Sequence, residues 1–541
     1  MKPEALHPFE TKNQERMNQQ TMRFAIPLSL LSGVLLTVGF PKLDLFYLSW
    51  GALIPLFVAL RGKSGKEAFG LGYVCGLAHF VTTLYWIHYV INHYGALPSP
   101  VAILALLLLC AYLALFPACF AYVAHKWEEH PLLWGLGLPA VWVALEWVRG
   151  HALTGFPWAT LGYSQTPFTP LIQIADITGV LGVSWLVVLG STAITACFNR
   201  RRPRIVFPVF AACMLAAILY GSWRLDVVKR LQEQAPPWTV GVFQGNVDQS
   251  QKWDPAFQQE AIERYRNLSL QASRSDPAPD LLVWPETAVP FFYGIEDQLT
   301  AQLNRIFQEV GKPVLFGSPA VGLVDGQGRL MNRAYLVNTG GEILGAYAKQ
   351  HLVPFGEYVP LQKILFFVHR LVQAAGDFVP GRSSVPLALD GRRPGVLICY
   401  EGIFPELARS TVMQGATSLI NITNDAWYGD TSAPYQHLEI ARWRAIELRV
   451  PLIRAANTGI SAIFDASGGC LGTISLNEQG YLIRTVHPFP IHTFYARWGD
   501  LFAWMCILIA VGGILYSGKL RQAVVGMKKR NASRRLKHSG S

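Results

Sequence analysis

The sequence predicts a multi-pass α-helical membrane protein of about eight spans that carries one inserted α/β domain. Three observations lead there. The 541 residues are 51% hydrophobic and 15% charged, too apolar and too weakly charged for an ordinary soluble chain of this length. Apolar stretches near 24–40, 45–60, 70–92, 101–124, 131–148, 179–198, 205–222 and 501–517 approach the roughly 20 residues that a helix needs to cross a bilayer. Between about 238 and 490 the pattern changes to short runs of Val, Ile and Leu separated by helical and Gly/Asp-rich stretches, as in an α/β domain.

The first apolar run follows a polar leader, is not followed by an Ala-x-Ala-like site, and is succeeded at once by a second run, so it reads as an uncleaved span. The net charge of +11 comes from basic residues clustered beside apolar runs. That placement points to membrane topology and away from nucleic acid. With eight spans, three basic groups share one side: Arg61, Lys63 and Lys66; Arg200, Arg201, Arg202 and Arg204; and the acid-free tail holding Lys519, Arg521, Lys528, Lys529, Arg530, Arg534, Arg535 and Lys537. Basic loops resist translocation, so both termini are expected in the cytoplasm and the α/β domain on the opposite face, the periplasm of a bacterium. The expected division is a cytoplasmic segment 1–23, seven spans within 24–222, a periplasmic domain 238–490, a last span 501–517 and a basic cytoplasmic tail 518–541.

Within the spans, Glu146 and Arg149 lie three apart on one helical face, which suits an internal ion pair; a substrate-facing pair is the alternative. His79 and His88 read as satisfied helix-interface residues. The segment 156–169 (FPWATLGYSQTPFT) is too broken by Gly and Pro for a lipid-exposed helix. It is expected as an outer loop or re-entrant piece with Phe156, Trp158 and Tyr163 in the headgroup zone.

In the α/β domain, strands are expected at 239–244, 281–284, 314–317, 334–338, 395–399, 418–422, 452–455 and 461–465, and helices at 258–273, 298–310 and 435–448. Three strands run directly into polar residues: Glu286 after the second, Cys399, Tyr400 and Glu401 at the fifth, Asn424, Asp425 and Trp427 after the sixth. An α/β fold gathers its site outside the carboxyl ends of its strands.

Of eight cysteines, Cys75, Cys110, Cys119, Cys197, Cys213 and Cys506 lie inside apolar runs. Cys399 and Cys470 remain for chemistry. No Cys-x-x-Cys pair, Cys/His ligand spacing or nucleotide-binding glycine loop occurs, so neither a metal nor a cofactor is expected. A cysteine nucleophile needs a base to take its proton and a cation or N–H groups to hold the oxyanion. Glu286, Lys349 and Cys399 can supply these three roles. Each has a plainer reading: a helix N-terminal acid, an exposed lysine, and a buried small residue or a disulfide with Cys470.

The motifs WPET (284–287), YAKQHLVPFGE (347–357) and ICYE (398–401) place Glu, Lys and Cys in an order that resembles the nitrilase, or carbon-nitrogen hydrolase, superfamily. Adding FQGN (243–246), VPFGEYVP (353–360), NITNDAWYGD (421–430), FPWATLGYSQ (156–165) and the arrangement of spans, the chain more closely resembles the apolipoprotein N-acyltransferases. That resemblance implies an αββα sandwich and a multi-pass protein of the bacterial inner membrane. The implied reaction transfers an acyl chain from a phospholipid, through a Cys399 thioester, to the α-amine of a diacylglyceryl-cysteine at the N-terminus of an apolipoprotein. Glu286 would be the base and Lys349, with the Tyr400 N–H, the oxyanion stabiliser. Glu357 and Glu401 would be supporting carboxylates that orient Lys349 or relay protons. Trp253 and Tyr400 would belong to the lipid pocket, and Trp427 and Tyr428, within 424–430, to a lid; for Trp253 a loop anchor, and for 424–430 an ordinary turn, are the alternatives. A monomer is expected. Two competing readings are a membrane-tethered amidase with water as acceptor, and a transporter or channel with an inert nitrilase-like domain.

Overall fold

A computed structural model of the chain describes residues 24–95, 97–198, 205–249, 255–324, 326–358 and 378–538. All eight apolar stretches fall on helical segments. Among the described residues, four helices are long and apolar enough to cross a membrane: Ser99–Lys126, Val180–Cys197, Val206–Gln234 and Leu501–Lys519. A fifth arises if Gly65–Thr83 and Trp86–His93, bent by 55°, count as one broken span. The others are shorter. Phe24–Val38 and Phe46–Ala59 are short apolar helices, and the fifth stretch divides into a π-helical turn, Leu133–Gly137, and the 14-residue helix Leu138–His151.

The helix Gly65–Thr83 starts at a capping box, in which Ser64 Oγ accepts from Glu67 N at 3.3 Å and Ser64 N donates to Glu67 Oε2 at 2.7 Å. Its Gly72 and Gly76 lie so close to Ala118, Ala121 and Ala114 that a Cβ would collide, the small-residue contact by which apolar helices approach. Leu104, Leu108, Leu215, Leu219, Leu508 and Leu515 are exposed on the long helices, a surface suited to lipid and costly in water.

Among the described residues, eleven strands make two sheets. The first contains β1 (Trp238–Gln244), β2 (Leu281–Val283), β3 (Val314–Val324), β4 (Gln327–Val337), β5 (Ile343–Ala348) and β11 (Gly480–Val486), in the order β11-β1-β2-β3-β4-β5. The second contains β6 (Pro394–Ile398), β7 (Ser418–Thr423), β8 (Leu452–Ala456), β9 (Ser461–Phe464) and β10 (Cys470–Ile474), in the order β10-β9-β8-β7-β6. Between the sheets pack Val240, Val242, Leu315, Leu336, Val396, Ile420 and Ile453. Helices Pro255–Ser273 and Asp297–Val310 cover the outer face of the first sheet, and Pro405–Met413 and Ala433–Leu448 that of the second. The result is a four-layer αββα sandwich.

All eight expected strands and three expected helices occur, with shifted ends. The parallel strands β6, β7 and β8 are buried on both faces and therefore carry continuous apolar runs. The strands β5, β10 and β11 went unrecognised because their faces are partly exposed and, in β5 and β10, glycine interrupts the run.

The segment 156–169 is irregular, as expected, but two of its aromatics are more enclosed than expected. Trp158 and Tyr163 are buried under the sandwich and present no open face to lipid headgroups. Glu146 and Arg149, 3.9 Å apart, form the expected ion pair and also hold this segment. Glu146 Oε1 accepts from Leu161 N at 2.7 Å, and Arg149 Nη1 donates to the Trp158 carbonyl at 2.5 Å. From the other side Trp443 Nε1 donates to Thr166 Oγ1 at 2.8 Å and Arg444 Nη2 to the Tyr163 hydroxyl at 2.9 Å. Protein thus satisfies backbone groups of the segment from one side and side-chain polar groups from the other, which makes burial of an irregular segment affordable.

Candidate active site

Three strand ends converge. After β2, Pro285 and Glu286 turn back over the sheet against Gly317 of β3, where an added Cβ would lie 2.6 Å from Thr287 N and 2.8 Å from Glu286 Cα. After β5, Lys349 is pinned through its backbone, donating to the Asn332 carbonyl at 2.9 Å and accepting from Gly381 N at 2.8 Å. After β6, Cys399 opens the turn Cys399–Ile403 with φ +52°, a left-handed conformation that costs a non-glycine residue about 1–3 kcal/mol and persists only where its surroundings impose it.

The side chains meet in a buried cluster. Lys349 Nζ lies 2.9 Å from Glu357 Oε1 and 3.6 Å from Glu286 Oε1. Asn332 Nδ2 donates to Glu286 Oε1 at 2.8 Å and to Glu357 Oε1 at 3.2 Å, so one amide spaces the two carboxylates. Glu357 Oε2 accepts from Val353 N at 2.8 Å. Burial disfavours the Lys349 ammonium, but Glu357 and Glu286 outweigh it and hold the lysine above its ordinary range, so it is a permanent cation. Burial pushes the Cys399 thiol up to about 12, with Glu286 adding and Lys349 opposing. The resting cysteine is therefore a thiol beside a carboxylate and an ammonium, an arrangement in which proton removal and attack are coupled.

Glu401 does not touch Lys349 directly; it fixes the chain on either side of the site. Its carboxylate accepts from Gln350 N at 2.6 Å, His351 N at 3.1 Å, Ile398 N at 2.7 Å and the Tyr347 hydroxyl at 3.0 Å. It thereby ties the residues after Lys349 to the strand that delivers Cys399. Burial pushes it up to about 7 against those donors.

Tyr400 is buried against Phe404, with ring centroids 5.0 Å apart. Trp427 and Tyr428 face the helical part: Trp427 meets Tyr94 at 5.0 Å and Tyr428 meets Trp86 at 5.1 Å, both edge to face. The segment 424–430 is not a free lid, since Asn424 and Asp425 are buried and Asp425 Oδ2 accepts from Arg454 Nη2 at 2.7 Å. Trp253 lies outside the described residues. Cys399 and Cys470 are both free, the first buried and the second exposed. Among the described residues no group of His, Cys, Asp and Glu side chains could hold a metal ion.

Sequence reasoning missed Asn332, Tyr347, Asn421, His437 and Arg454 as parts of this site. Asn421 had stood only within a quoted motif, and His437 and Arg454 lay unmarked in an expected helix and strand. The pairing of β6 with β7 and β7 with β8 brings Asn421 and Arg454 beneath Cys399, and the helix Ala433–Leu448 packed on that sheet brings His437 there.

Residues 32–193 match the apolipoprotein N-acyltransferase N-terminal domain, and residues 239–488 match the carbon-nitrogen hydrolase family. The chain is 43% identical over 488 residues to an apolipoprotein N-acyltransferase of Geobacter metallireducens, an alignment covering 89% of this chain and 92% of that one. An apolipoprotein N-acyltransferase of Methylococcus capsulatus is 36% identical over 509 residues, covering 92% and 97%. Among solved structures, a carbon-nitrogen hydrolase from Helicobacter pylori G27 aligns at 19% identity and a TM-score of 0.37, covering 46% of this chain and 89% of that one. With a buried Glu, Lys and Cys at three strand ends and full-length relatives of one name, the chain belongs to the apolipoprotein N-acyltransferase family and is an acyltransferase enzyme.

Proposed function

We propose that the enzyme moves a fatty acyl chain from a membrane phospholipid to Cys399 and then to the α-amine of the N-terminal diacylglyceryl-cysteine of an apolipoprotein. The observation that carries this reading is the buried cluster of Glu286, Lys349 and Cys399, with Lys349 within 3.6 Å of Glu286. Glu286 takes the Cys399 proton as the sulfur attacks the ester carbonyl, and Lys349 and the Tyr400 N–H hold the tetrahedral oxyanion. As the C–O bond breaks, Glu286 returns the proton to the leaving alkoxide, and lysophospholipid departs. The amine then attacks the thioester and Glu286 takes its proton; as the C–N bond forms the C–S bond breaks, and Glu286 returns the proton to the leaving sulfur, regenerating the thiol. Glu357 keeps Lys349 charged and in place, and Glu401 braces its backbone. Trp427, Tyr428 and the Tyr400 ring form apolar walls that exclude water, which would otherwise hydrolyse the thioester.

Both substrates are lipid-anchored, so the site works at a bilayer surface. The proposed topology has eight spans, seven in 24–222 and one at 501–517, with the catalytic domain 238–490 in the periplasm and the segments 1–23 and 518–541 in the cytoplasm of a bacterial inner-membrane monomer. Support for it comes from the exposed apolar helices and the one-sided basic loops. The test is peptide mass spectrometry of the full-length protein after incubation with phospholipid alone. Cys399 is expected to gain a hydroxylamine-labile acyl mass, with lysophospholipid released and neither product formed by Cys399→Ser. An unmodified Cys399 overturns the reading.

A further inference from the structure

We infer that His437 is a positioning residue that aims the oxyanion-stabilising Tyr400 N–H by gripping the carbonyl of the same peptide unit. The inference rests on the proposed role of that N–H. The peptide between Cys399 and Tyr400 is trans and planar, so its C=O and N–H point in opposite directions, and holding one end fixes the other. Two donors hold the oxygen: His437 Nε2 at 3.2 Å and Asn421 Nδ2 at 3.4 Å. They supply the restraint that a φ of +52° at Cys399 needs.

The proton on His437 is placed by its neighbours. A carbonyl oxygen only accepts, so Nε2 must carry the hydrogen. Arg454 Nη2 lies 3.0 Å from Nδ1 and, as a guanidinium, only donates. The Nδ1 atom therefore accepts from Arg454 in a neutral ring, a state that burial and the Arg454 charge both favour. Asp425 sits 3.0 Å from Nδ1, yet its charge is taken up by Arg454 and its Oδ1 also accepts from Thr423 Oγ1 at 2.9 Å. Arg454 further donates to Asn421 Oδ1, which orients that amide toward the Cys399 carbonyl. One arginine thus sets the tautomer of one donor and the orientation of the other. The imidazole is held in its plane by Trp158 and Tyr428, at 5.7 and 6.0 Å. The arrangement is fully buried, with His437, Asn421 and Arg454 all at 0% exposure.

A second reaction of the same sulfur separates this role from a merely structural one. Acylation passes through an oxyanion, whereas alkylation by iodoacetamide is a direct displacement that needs the thiolate but no oxyanion donor. Both rates on Cys399 are measured by peptide mass spectrometry in full-length protein. The acyl donor is vesicles of dipalmitoyl phosphatidylethanolamine and phosphatidylglycerol. His437→Phe keeps the ring packing and removes the donor; acylation should slow about 10- to 100-fold, somewhat less than for direct loss of an oxyanion donor, while alkylation stays within about twofold. His437→Gln, which can donate to the same carbonyl, should recover most of the loss. Asn421→Asp keeps the acceptor for Arg454, removes the second donor, and should show the same one-sided loss at about 3- to 10-fold; it carries the test if His437→Phe does not fold. Equal slowing of both reactions, or slowing of neither, overturns the positioning role while wild-type acylation leaves the proposed function standing. A wild-type enzyme that never acylates Cys399 removes the proposed function and this inference with it.

Discussion

Two buried charge clusters in this protein are mirror images in composition. At the proposed catalytic cluster one cation, Lys349, lies between two carboxylates, Glu286 at 3.6 Å and Glu357 at 2.9 Å. Where the sandwich meets the helical part, one carboxylate, Asp176, lies between two guanidiniums, Arg224 at 2.7 Å and Arg449 at 3.0 Å. The surroundings differ. Asp176 Oδ1 also accepts from the Tyr220 hydroxyl at 2.8 Å, and Arg449 donates to the Gln173 side-chain oxygen at 2.5 Å and backbone carbonyl at 3.0 Å. Every charge there is consumed by a partner in a distant part of the chain, and the cluster fastens the two regions together. At the catalytic cluster the surplus negative charge faces a thiol that burial keeps protonated. The same count of ions is a bolt where hydrogen bonds saturate it and a base where a transferable proton lies beside it.

The contrast breaks first at Lys349. Lys349→Met removes the proposed oxyanion cation and leaves two carboxylates facing each other, so thioester formation should fall about 10³-fold or more, measured as acyl mass on Cys399 in single turnover. Retention of a tenth of the rate would make the lysine a structural counter-ion only. The mirror experiment is Asp176→Asn, which leaves two buried guanidiniums without a counter-charge. It should cost about 3–5 kcal/mol of stability, read in denaturant, while folded protein alkylates Cys399 at the wild-type rate. Slower alkylation with unchanged stability would move this cluster from the architecture into the chemistry.

A smaller effect sharpens the catalytic side. Glu401 is held at about 7 by burial, above its unfolded value of 4.5. A carboxyl raised on folding favours its protonated form, so its contribution to stability is complete below about 4.5 and is lost as pH rises through 7. The melting temperature of the wild type minus that of Glu401→Gln should decline between about pH 5 and 8; a flat difference would show that the four donors, and not burial, govern this carboxylate. The smallest effect is Tyr347→Phe. Glu401 keeps its three backbone N–H donors, so the loss should be about 1 kcal/mol of stability with acylation nearly unchanged.

Much of the site was legible before any fold was known, because its chemistry is local. Glu286 follows Trp284-Pro285, Lys349 stands eight residues before its partner Glu357, and Cys399 precedes Tyr400 and Glu401, so residue type, strand ends and motif order marked the positions. The same holds for the buried parallel strands and the long apolar helices, whose periodicity or unbroken hydrophobicity is written in consecutive residues. The exposed edge strands carried no such signal, and the number of helices long enough to cross a membrane cannot be read from hydropathy where a stretch breaks into two short helices.

What the tertiary structure alone decided is whatever depends on partners far apart in the chain. Trp158 looked like a headgroup aromatic until the helix Ala433–Leu448 was found over it, 278 residues away, with Gln436 accepting from its indole at 2.7 Å. His437 and Arg454 carried no mark of function in sequence; the register of β6, β7 and β8 places Arg454, and the helix Ala433–Leu448 packed on those strands places His437, around one peptide. The sequence by itself determined the class of protein, the α/β insertion and the three residues proposed to carry the reaction, since hydrophobic patterning and strand-end chemistry are short-range. The burial of the loop 156–169, the two opposed charge clusters and the grip on the Cys399 carbonyl belong to the fold, because hydrogen bonds and ion pairs act over about 3 Å and only folding brings such partners within reach.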